Sequence, residues 1–265
     1  MRRFHNRKFW QIAFVAVGYF LFGLVALIIG VFFLLLSPIP IITGAVKQKW
    51  IRWCIHYGCL TFIRMMRAFG LLRYSFDVSS LLQTKPGNIV IANHPSLIDA
   101  VFMFAISKNL TCLVKSALWD NIFTGAIVRL AGFIPNNTHD AVNMAVEKLQ
   151  AAEDLLIFPE GTRSEKLDDI HFRRGAANVA VASGAPIIPI LIKCYPQVLK
   201  KGDNWYDIPD NGADVFLYSR QPLKLQDCID TTKPKTLQYR ELTQFLERYY
   251  NNWAKTKTAF TPEKK

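Results

Sequence analysis

The feature that most constrains this chain is an uncharged, apolar run near its start, from Phe9 to Leu36. As a helix, these roughly 28 residues would extend about 42 Å, against roughly 30 Å for the hydrocarbon core of a bilayer. Basic residues stand on both sides of the run: Arg2, Arg3, Arg7 and Lys8 before it, and Lys47, Lys49 and Arg52 after it. We therefore expect the run to enter a membrane.

A cleaved signal peptide is the alternative reading of a basic, apolar start. The run exceeds the usual signal core of about 7 to 15 residues, and no small-x-small cleavage site precedes the break "SPIPIITG" at 37–44. A retained anchor is therefore favoured. Because both flanks are basic, the positive-inside rule selects no direction across the membrane, and a hairpin that enters and leaves one leaflet satisfies both.

The next segment, "KQKWIRWCIHYGCLTFIRMMRAFGLLRYSF", predicts a basic amphipathic helix. At 100° per residue its basic side chains fall within about a third of the circumference; they are Lys49, Arg52, His56, Arg64 and Arg67. Such a helix suits an anionic lipid surface. A solvated helix face packed on the core is the alternative. Residues 1–72 are thus expected to form a membrane-anchoring helical hairpin and a basic amphipathic helix.

The net charge of +12 points to acidic partners: anionic membrane lipids, phosphorylated substrates or an acidic carrier protein. The sequence has no zinc-finger spacing and no RNA-binding motif, so nucleic acid is not an expected partner. The five cysteines include no C-x-x-C pair and indicate reduced, mostly buried thiols on the cytoplasmic side of a membrane.

From about residue 75 the pattern changes to short apolar runs that alternate with helical stretches. Strands are predicted at 88–92, 111–115, 132–135, 154–158, 186–192 and 214–219, and helices near 97–107, 117–130, 138–152, 174–183 and 234–254. This alternation predicts an α/β fold, a largely parallel mixed sheet flanked by helices. It assigns 73–254 to one α/β domain and 255–265 to a loose C-terminal tail.

The stretch "IVIANHPSLIDAVFM", 90–104, holds two titratable side chains, His94 and Asp99, in an apolar setting. His94 follows a predicted strand, and ligands of open α/β sheets bind at the carboxyl ends of the strands. The simplest reading of "SLID" is a helix start in which Ser96 caps and Asp99 follows three residues later. That reading leaves His94 unexplained. A histidine with a carboxylate one helical turn beyond it predicts a general base and its orienting partner.

The stretch "DLLIFPEGTRSE" ends another predicted strand in a Pro-Glu-Gly turn. Taken alone, it is typical of a surface turn with an exposed arginine. In a parallel sheet, however, its polar side chains would meet His94 at one edge of the sheet; they are Glu160, Thr162, Arg163 and Ser164. The planar guanidinium of Arg163 suits phosphate.

Together, "NHPSLID" at 93–99, an HX4D motif, and "FPEGTRS" at 158–164 resemble the glycerolipid and lysophospholipid acyltransferase family. The resemblance covers roughly 86–195 and includes "APIIPI" at 185–190. It implies that His94 is the general base and that Asp99 orients it. It also implies that residues of the second motif bind a phosphate-bearing acceptor, and we assign Glu160, Gly161, Thr162, Arg163 and Ser164 to that role. An N-terminal helix pair embedded in one leaflet is implied as well.

One departure concerns the acceptor. The family's intermediate motif commonly ends in an arginine, whereas "AGFIPNNTHD" has Asn136 and Asn137 where that charge is expected. The acceptor is then held differently, or it is not plain lysophosphatidate.

The expected function is that of a membrane-bound O-acyltransferase of phospholipid biosynthesis, at the cytoplasmic face. It would move a fatty acyl group from an acyl carrier protein or coenzyme A thioester to the hydroxyl of a lysophospholipid such as 1-acylglycerol-3-phosphate (lysophosphatidic acid). No cofactor or metal is expected, and without a G-x-S-x-G elbow no acyl-enzyme is implied. Backbone N–H groups after strand 88–92 or 154–158 would stabilise the oxyanion. Two alternatives stay open: a hydrolase that uses the same pair, and an inactive membrane-tethered lipid-binding protein.

Overall fold

The computed structural model describes residues 2–35, 44–122, 124–138, 140–164 and 169–256. The predicted break at 37–44, apart from its last residue, and most of the predicted tail lie outside these ranges. The helices are α1 (Arg2–Leu35), α2 (Gly44–Ala68), α3 (Ser79–Gln83), α4 (Asp99–Ile106), α5 (Ser116–Trp119), α6 (Gly125–Leu130), α7 (Ala141–Gln150), α8 (Gly175–Ser183), α9 (Leu225–Cys228) and α10 (Lys235–Thr256). The strands are β1 (Leu72–Asp77), β2 (Ile89–Ala92), β3 (Leu110–Val114), β4 (Ile134–Pro135), β5 (Asp154–Ile157), β6 (Ile187–Tyr195) and β7 (Ala213–Ser219).

The strands form one seven-stranded sheet in the order β1-β7-β6-β2-β5-β3-β4. Every neighbouring pair is parallel except β6 and β7, which run antiparallel. The predicted α/β class with a largely parallel mixed sheet is confirmed. All six predicted strands are present, and β2 and β5 lie side by side. Their carboxyl ends therefore meet at one edge of the sheet, as the predicted site requires.

Helices cover both faces of the sheet, which explains why the central strands are apolar on both sides. In β2, Val90 and Ala92 join the core beneath α2 and α4, whereas Ile89 and Ile91 join the core beneath α7, α8 and α10. All four side chains are fully buried. A short continuous apolar run is thus the sequence signature of this central strand.

Two predicted boundaries are wrong. The segment predicted as an amphipathic helix includes "LRYSF" at 72–76, but α2 ends at Ala68 and these residues belong to β1. This edge strand is stabilised by parallel pairing with β7, which lies far away in sequence. The helix predicted at 117–130 is two short helices, α5 and α6, separated by residues 120–124.

The helices α1 and α2 pack antiparallel along an apolar seam. Phe14 stacks on Phe69 with ring centroids 4.3 Å apart, and further along, Phe22 lies against Phe62 at 5.2 Å. Residues 8–33 of α1 are long and apolar enough to cross a membrane, judged by length and composition alone. Large apolar side chains on the other side of α1, among them Ile28, are exposed.

The predicted basic face of α2 is only partly a surface. Arg52 is 4% exposed, and its Nη1 atom lies 2.8 Å from Oε2 of Glu153 while its Nε donates to the carbonyl of Ala131. The expectation that Arg52 faces lipid is therefore wrong. His56 also turns inward, with Nδ1 2.9 Å from the carbonyl oxygen of Phe104. These contacts fix α2 to the α/β domain.

One hydroxyl bridges two central strands from outside the sheet. Pro189 stands in the middle of β6 and has no N–H to give to the ladder. Beside it, the Tyr250 hydroxyl of α10 accepts from the N–H of Ile190 at 3.1 Å and donates to the carbonyl of Ile91 at 2.6 Å. The buried phenol thus satisfies backbone groups next to the proline.

Candidate active site

His94 and Asp99 lie together at the carboxyl end of β2. The Nδ1 atom of His94 is 2.9 Å from Oδ2 of Asp99. The Asp99 side chain is completely buried, and that of His94 is 18% exposed. Among the described residues the Nε2 atom of His94 has no hydrogen-bond partner. One ring nitrogen is therefore held by the carboxylate and the other is available to exchange a proton.

Burial raises the pKa of the Asp99 carboxyl above its ordinary value. The hydrogen bond from His94 and the one from the Ser96 N–H, at 2.6 Å to Oδ2, oppose this shift. A carboxylate in a dry site binds a neighbouring imidazolium more strongly than it would in water. The buried Asp99 carboxylate is therefore placed to stabilise the His94 ring when the ring gains a proton.

The predicted cap is not formed. The residue at the N-cap of α4 is Ile98, and no side chain caps the helix. The Ser96 hydroxyl is buried without a partner in the described structure, as is Oδ1 of Asp99. Only the reverse half of the capping box is present, in which the Ser96 N–H donates to Asp99.

The loop after β5 holds the main chain of His94 through two buried side-chain positions. Oε1 of Glu160 accepts from the His94 N–H at 2.7 Å and from the Ser164 hydroxyl at 2.8 Å. The Ser164 N–H in turn donates to the His94 carbonyl at 2.7 Å. Burial raises the pKa of Glu160. Acceptor binding by Glu160 and Ser164 stays a prediction; the contacts present here position His94.

Gly161 is required by its backbone and by its neighbour. Its φ of +68° lies in the left-handed region, and a Cβ there would meet the Arg173 side chain at 3.0 Å. Thr162, next in the turn, is half-buried. The glycine lets the chain reverse sharply enough to bring Glu160 beneath His94.

Arg163 extends from this turn towards the segment after β6. Its Nη1 atom donates to the carbonyls of Leu199 and Lys200, at 2.7 and 2.9 Å. Its Nε and Nη2 atoms have no hydrogen-bond partner among the described residues. One end of the guanidinium fork is thus anchored on protein, and the remaining donors are free to meet an anion.

Backbone donors at the site differ between the two turns. After β2, the N–H groups of His94, Ser96 and Leu97 all donate to protein oxygens. After β5, the N–H groups of Thr162 and Arg163 have no partner within the described ranges. Of the two predicted sources of oxyanion donors, the turn after β5 therefore has the available N–H groups.

Three supporting residues were not identified from the sequence. The Phe158 ring stacks on His94 with centroids 4.4 Å apart. The Asn93 side chain pairs with both the N–H and the carbonyl of Ile192 in β6. The Gln197 amide donates to the carbonyls of Pro95 and Ser164. Phe158 and Asn93 belong to the two motifs, but nothing in the sequence marks Gln197.

An apolar cavity of about 60 Å³ opens beside the His94 loop. Helices α1 and α2 form one wall. The residue before α4 and the segment after β6 contribute to the other wall. Its lining includes Tyr19, Phe62, Met66, Ile98, Leu199 and Trp205. This lining is apolar, as contact with part of an alkyl chain requires.

The remaining predicted features lie away from His94 or take no part in its contacts. Asn136 and Asn137 are exposed just after β4, where Oδ1 of Asn136 accepts from the Ser116 N–H at 3.3 Å. Burial raises the pKa of Cys112 and of Cys194 to about 12, so both are thiols near neutral pH. Among the residues that the structure describes, no group of three His, Cys, Asp or Glu side chains is arranged to hold a metal.

The sequence is similar to known acyltransferases over the region that contains both motifs. Residues 75–193 match the family model described as Acyltransferase. The chain is 30% identical over 130 residues to 1-acyl-sn-glycerol-3-phosphate acyltransferase alpha of Mus musculus, covering 46% of this chain and 45% of that protein. It is 28% identical over 142 residues to the beta enzyme of Homo sapiens, covering 51% of each. The chain thus spans about half the length of these curated relatives.

A solved structure extends the likeness to nearly the whole chain. The crystal structure of the 1-acyl-sn-glycerophosphate (LPA) acyltransferase PlsC from Thermotoga maritima superimposes with a TM-score of 0.71 at 21% sequence identity. The match covers 96% of this chain and 98% of that one. At this identity the likeness shows a shared fold, including the N-terminal helices.

Proposed function

We propose that this protein transfers a fatty acyl group from a thioester to the hydroxyl of a lysophospholipid, with 1-acylglycerol-3-phosphate as the first candidate. The proposal is supported by the match of residues 75–193 to the Acyltransferase family model and by the curated relatives. The observation that carries the proposal is the His94–Asp99 pair, with Arg163 at the carboxyl end of the adjacent strand. A base and an anion-binding group on neighbouring strands fit an acceptor that has both a hydroxyl and a phosphate.

In the proposed reaction, Nε2 of His94 removes the proton of the acceptor hydroxyl. At the same time the oxygen of that hydroxyl attacks the thioester carbonyl. A C–O bond forms, the C–S bond breaks, and the leaving thiolate takes the proton back from His94. Asp99 holds the ring through Nδ1 and stabilises the imidazolium between these steps. A positioned base of this kind contributes about 10²- to 10⁴-fold to the rate. No cofactor is needed.

The oxyanion of the tetrahedral intermediate is assigned to the turn after β5. The N–H groups of Thr162 and Arg163 are unpaired among the described residues, and Arg163 adds positive charge. Donors already in place need no reorganisation as charge develops, which is why such sites lower the barrier.

Recognition of the acceptor is assigned to Arg163. Charge-assisted hydrogen bonds from a guanidinium are worth about 1.5–3 kcal/mol each. The contacts of Nη1 with Leu199 and Lys200 hold the group in place, so little side-chain entropy is lost on binding.

The acyl chain is assigned to the apolar cavity beside Ile98 and Leu199. Its walls include α1 and α2, so the cavity connects these two helices with the edge of the sheet where His94 lies. An acyl chain would enter along this path. The donor is an acyl carrier protein or coenzyme A thioester, whose carrier portion would stay outside the cavity.

We further propose that residues 1–72 embed in a membrane as a hairpin, with the α/β domain of 73–254 at its cytoplasmic face. The apolar exposed side of α1 and the aromatic stripe Trp50, Trp53 and Tyr57 on α2 fit a bilayer and its interface. Labelling single cysteines introduced at Met1 and Lys49 should modify both from the same side. Modification from opposite sides would refute the hairpin.

The deciding experiment is product analysis of the detergent-purified protein. Acyl-CoA or acyl carrier thioester is supplied with a panel of lysophospholipids, and released thiol and acylated lipid are both measured. We expect diacyl product and thiol in equal amounts, and only with an acceptor. Equal thiol release without acceptor would indicate the hydrolase alternative, and no release in either case would indicate an inactive binding protein.

A further inference from the structure

The segment that follows β6 is a third component of the site, although it belongs to neither motif. Gln197 donates from its Nε2 atom to two carbonyl oxygens, those of Pro95 and Ser164, each at 2.9 Å. Its side chain is half-buried. Pro95 directly follows His94, and Ser164 directly follows Arg163. One amide group thus joins the loop of the candidate base to the loop of the candidate phosphate ligand.

The sheet brings these loops together. Strands β6, β2 and β5 are adjacent and parallel, so the three segments that follow them share one edge. The bonds also run in the opposite direction, because Arg163 donates to the carbonyls of Leu199 and Lys200. The Leu97 N–H approaches the same Leu199 carbonyl at 3.4 Å. The segment 197–200 therefore contacts both motif loops, each through more than one bond.

We infer that Gln197 is a positioning residue: it sets the separation between the His94 loop and the Arg163 loop, and so between the base and the bound acceptor. This inference rests on the proposed function. Transfer requires the acceptor hydroxyl to lie within hydrogen-bond reach of His94 while its anionic group is held elsewhere. A displacement of about 1 Å between such groups lowers a rate by about 10²-fold.

The chemistry of the side chain explains why an amide is needed. The NH₂ group has two donors and can serve two carbonyls at once. Methionine has a similar length and no donor. Glutamate would face the same two carbonyls with acceptors only. Asparagine retains the donors on a stem one methylene shorter, so it can satisfy one carbonyl at most.

The chain contains a matched control for this bond pattern. The Nε2 atom of Gln238, near the start of α10, also donates to two carbonyls, those of Thr231 and Lys233, at 3.0 and 2.6 Å. Gln238 is 7% exposed and takes no part in the contacts of His94. Methionine at either position removes the same pair of bonds, but only Gln197→Met separates the two loops.

The test compares steady-state kinetics of wild type, Gln197→Met and Gln238→Met in one detergent, with acyl-CoA and 1-acylglycerol-3-phosphate varied separately. We expect kcat of Gln197→Met to fall about 10- to 100-fold, with both KM values within about threefold of wild type. Gln238→Met should keep kcat within about twofold, even if it lowers the melting temperature as much. Gln197→Asn should fall between wild type and Gln197→Met.

Each result decides the matter. A Gln197→Met kcat as high as that of Gln238→Met overturns the inference while the proposed function stands. If Gln197→Met does not fold, Gln197→Asn takes its place, and an unchanged kcat in that variant overturns the inference. If wild type transfers no acyl group to any lysophospholipid, the proposed function fails, and the inference fails with it.

Discussion

Helix α1 and the rim of the sheet, the edge where the loops after β2 and β5 meet, both differ from the usual placement of side chains. Helix α1 exposes apolar side chains, and the rim buries polar ones. Along α1, apolar side chains such as Ile28, which is 58% exposed, cover the outer surface. At the rim, Asn93 and Asp99 are fully buried and Glu160 nearly so. Folded proteins seldom do either without a reason. The first region is what the proposed insertion of α1 into a membrane would explain. In the second, hydrogen bonds within the protein replace most of those to water.

The largest expected effect comes from removing the base at the rim. His94→Ala should lower turnover about 10²- to 10⁴-fold, because a positioned base contributes that much. Membrane association should not change. The control is His171→Ala, since His171 also has an aspartate partner, Asp169 at 3.1 Å, but lies on the surface. Wild-type turnover in His94→Ala would show that the base is assigned incorrectly.

The next effect concerns the acceptor. Arg163→Ala should raise the apparent acceptor KM about 10- to 150-fold, the equivalent of one lost charged hydrogen bond, and leave the donor KM nearly unchanged. Lysine at this position should restore only part of the loss, because it lacks the fork. Arg248→Ala is the control, since that exposed guanidinium contacts a single carbonyl on α10. An unaltered acceptor dependence in folded Arg163→Ala would contradict phosphate recognition.

The third prediction tests whether the exposed apolar side chains of α1 enter lipid. Ile28→Asp should weaken partitioning into liposomes by about two orders of magnitude, because an aspartate at the centre of a membrane helix costs about 2.5–3.5 kcal/mol. Leu82→Asp makes the same chemical change at an exposed position of α3 and should have no such effect. Equal partitioning of the two variants in a flotation assay would mean that α1 does not enter lipid.

The smallest effect is the pH dependence of stability at Glu160. Burial raises the folded-state pKa of this carboxyl above its unfolded value. Its contribution to stability is then fully present below the unfolded pKa, about 4.3, and is lost as pH rises through the folded value. Glutamine can accept the same two hydrogen bonds and does not ionise. The melting temperature of Glu160→Gln minus that of wild type should therefore increase from pH 4 to pH 8 by a few degrees, at about 2–4 °C per kcal/mol.

The matched substitution for that measurement is Glu147→Gln on the exposed side of α7. The difference in melting temperature between Glu147→Gln and wild type should not change between pH 4 and pH 8. A flat difference in Glu160→Gln too would show that the buried carboxyl carries no charge penalty.

The same contrast explains how far the sequence predicts this molecule. The central strands and the His94–Asp99 pair were predictable because their signals are local: a continuous apolar run, or two side chains five residues apart. The misses depend on distant partners. Arg52 is buried because Glu153 lies against it, and β1 is a strand because β7 pairs with it. Gln197 reaches Pro95 across 102 residues, and no local pattern encodes such a contact.

The phenol that bridges β2 and β6 also has a consequence for the order of assembly. Tyr250 is synthesised 159 residues after Ile91 and 60 after Ile190, the two residues that it joins. During translation those strands therefore exist for some time with a gap beside Pro189, open to water or to another chain. Contacts of such long sequence separation form late, since loop closure costs entropy before it is rewarded. Until α10 docks, the carbonyl of Ile91 and the N–H of Ile190 therefore lack the hydroxyl that joins them, and this unpaired spot lies three residues before His94 in the chain.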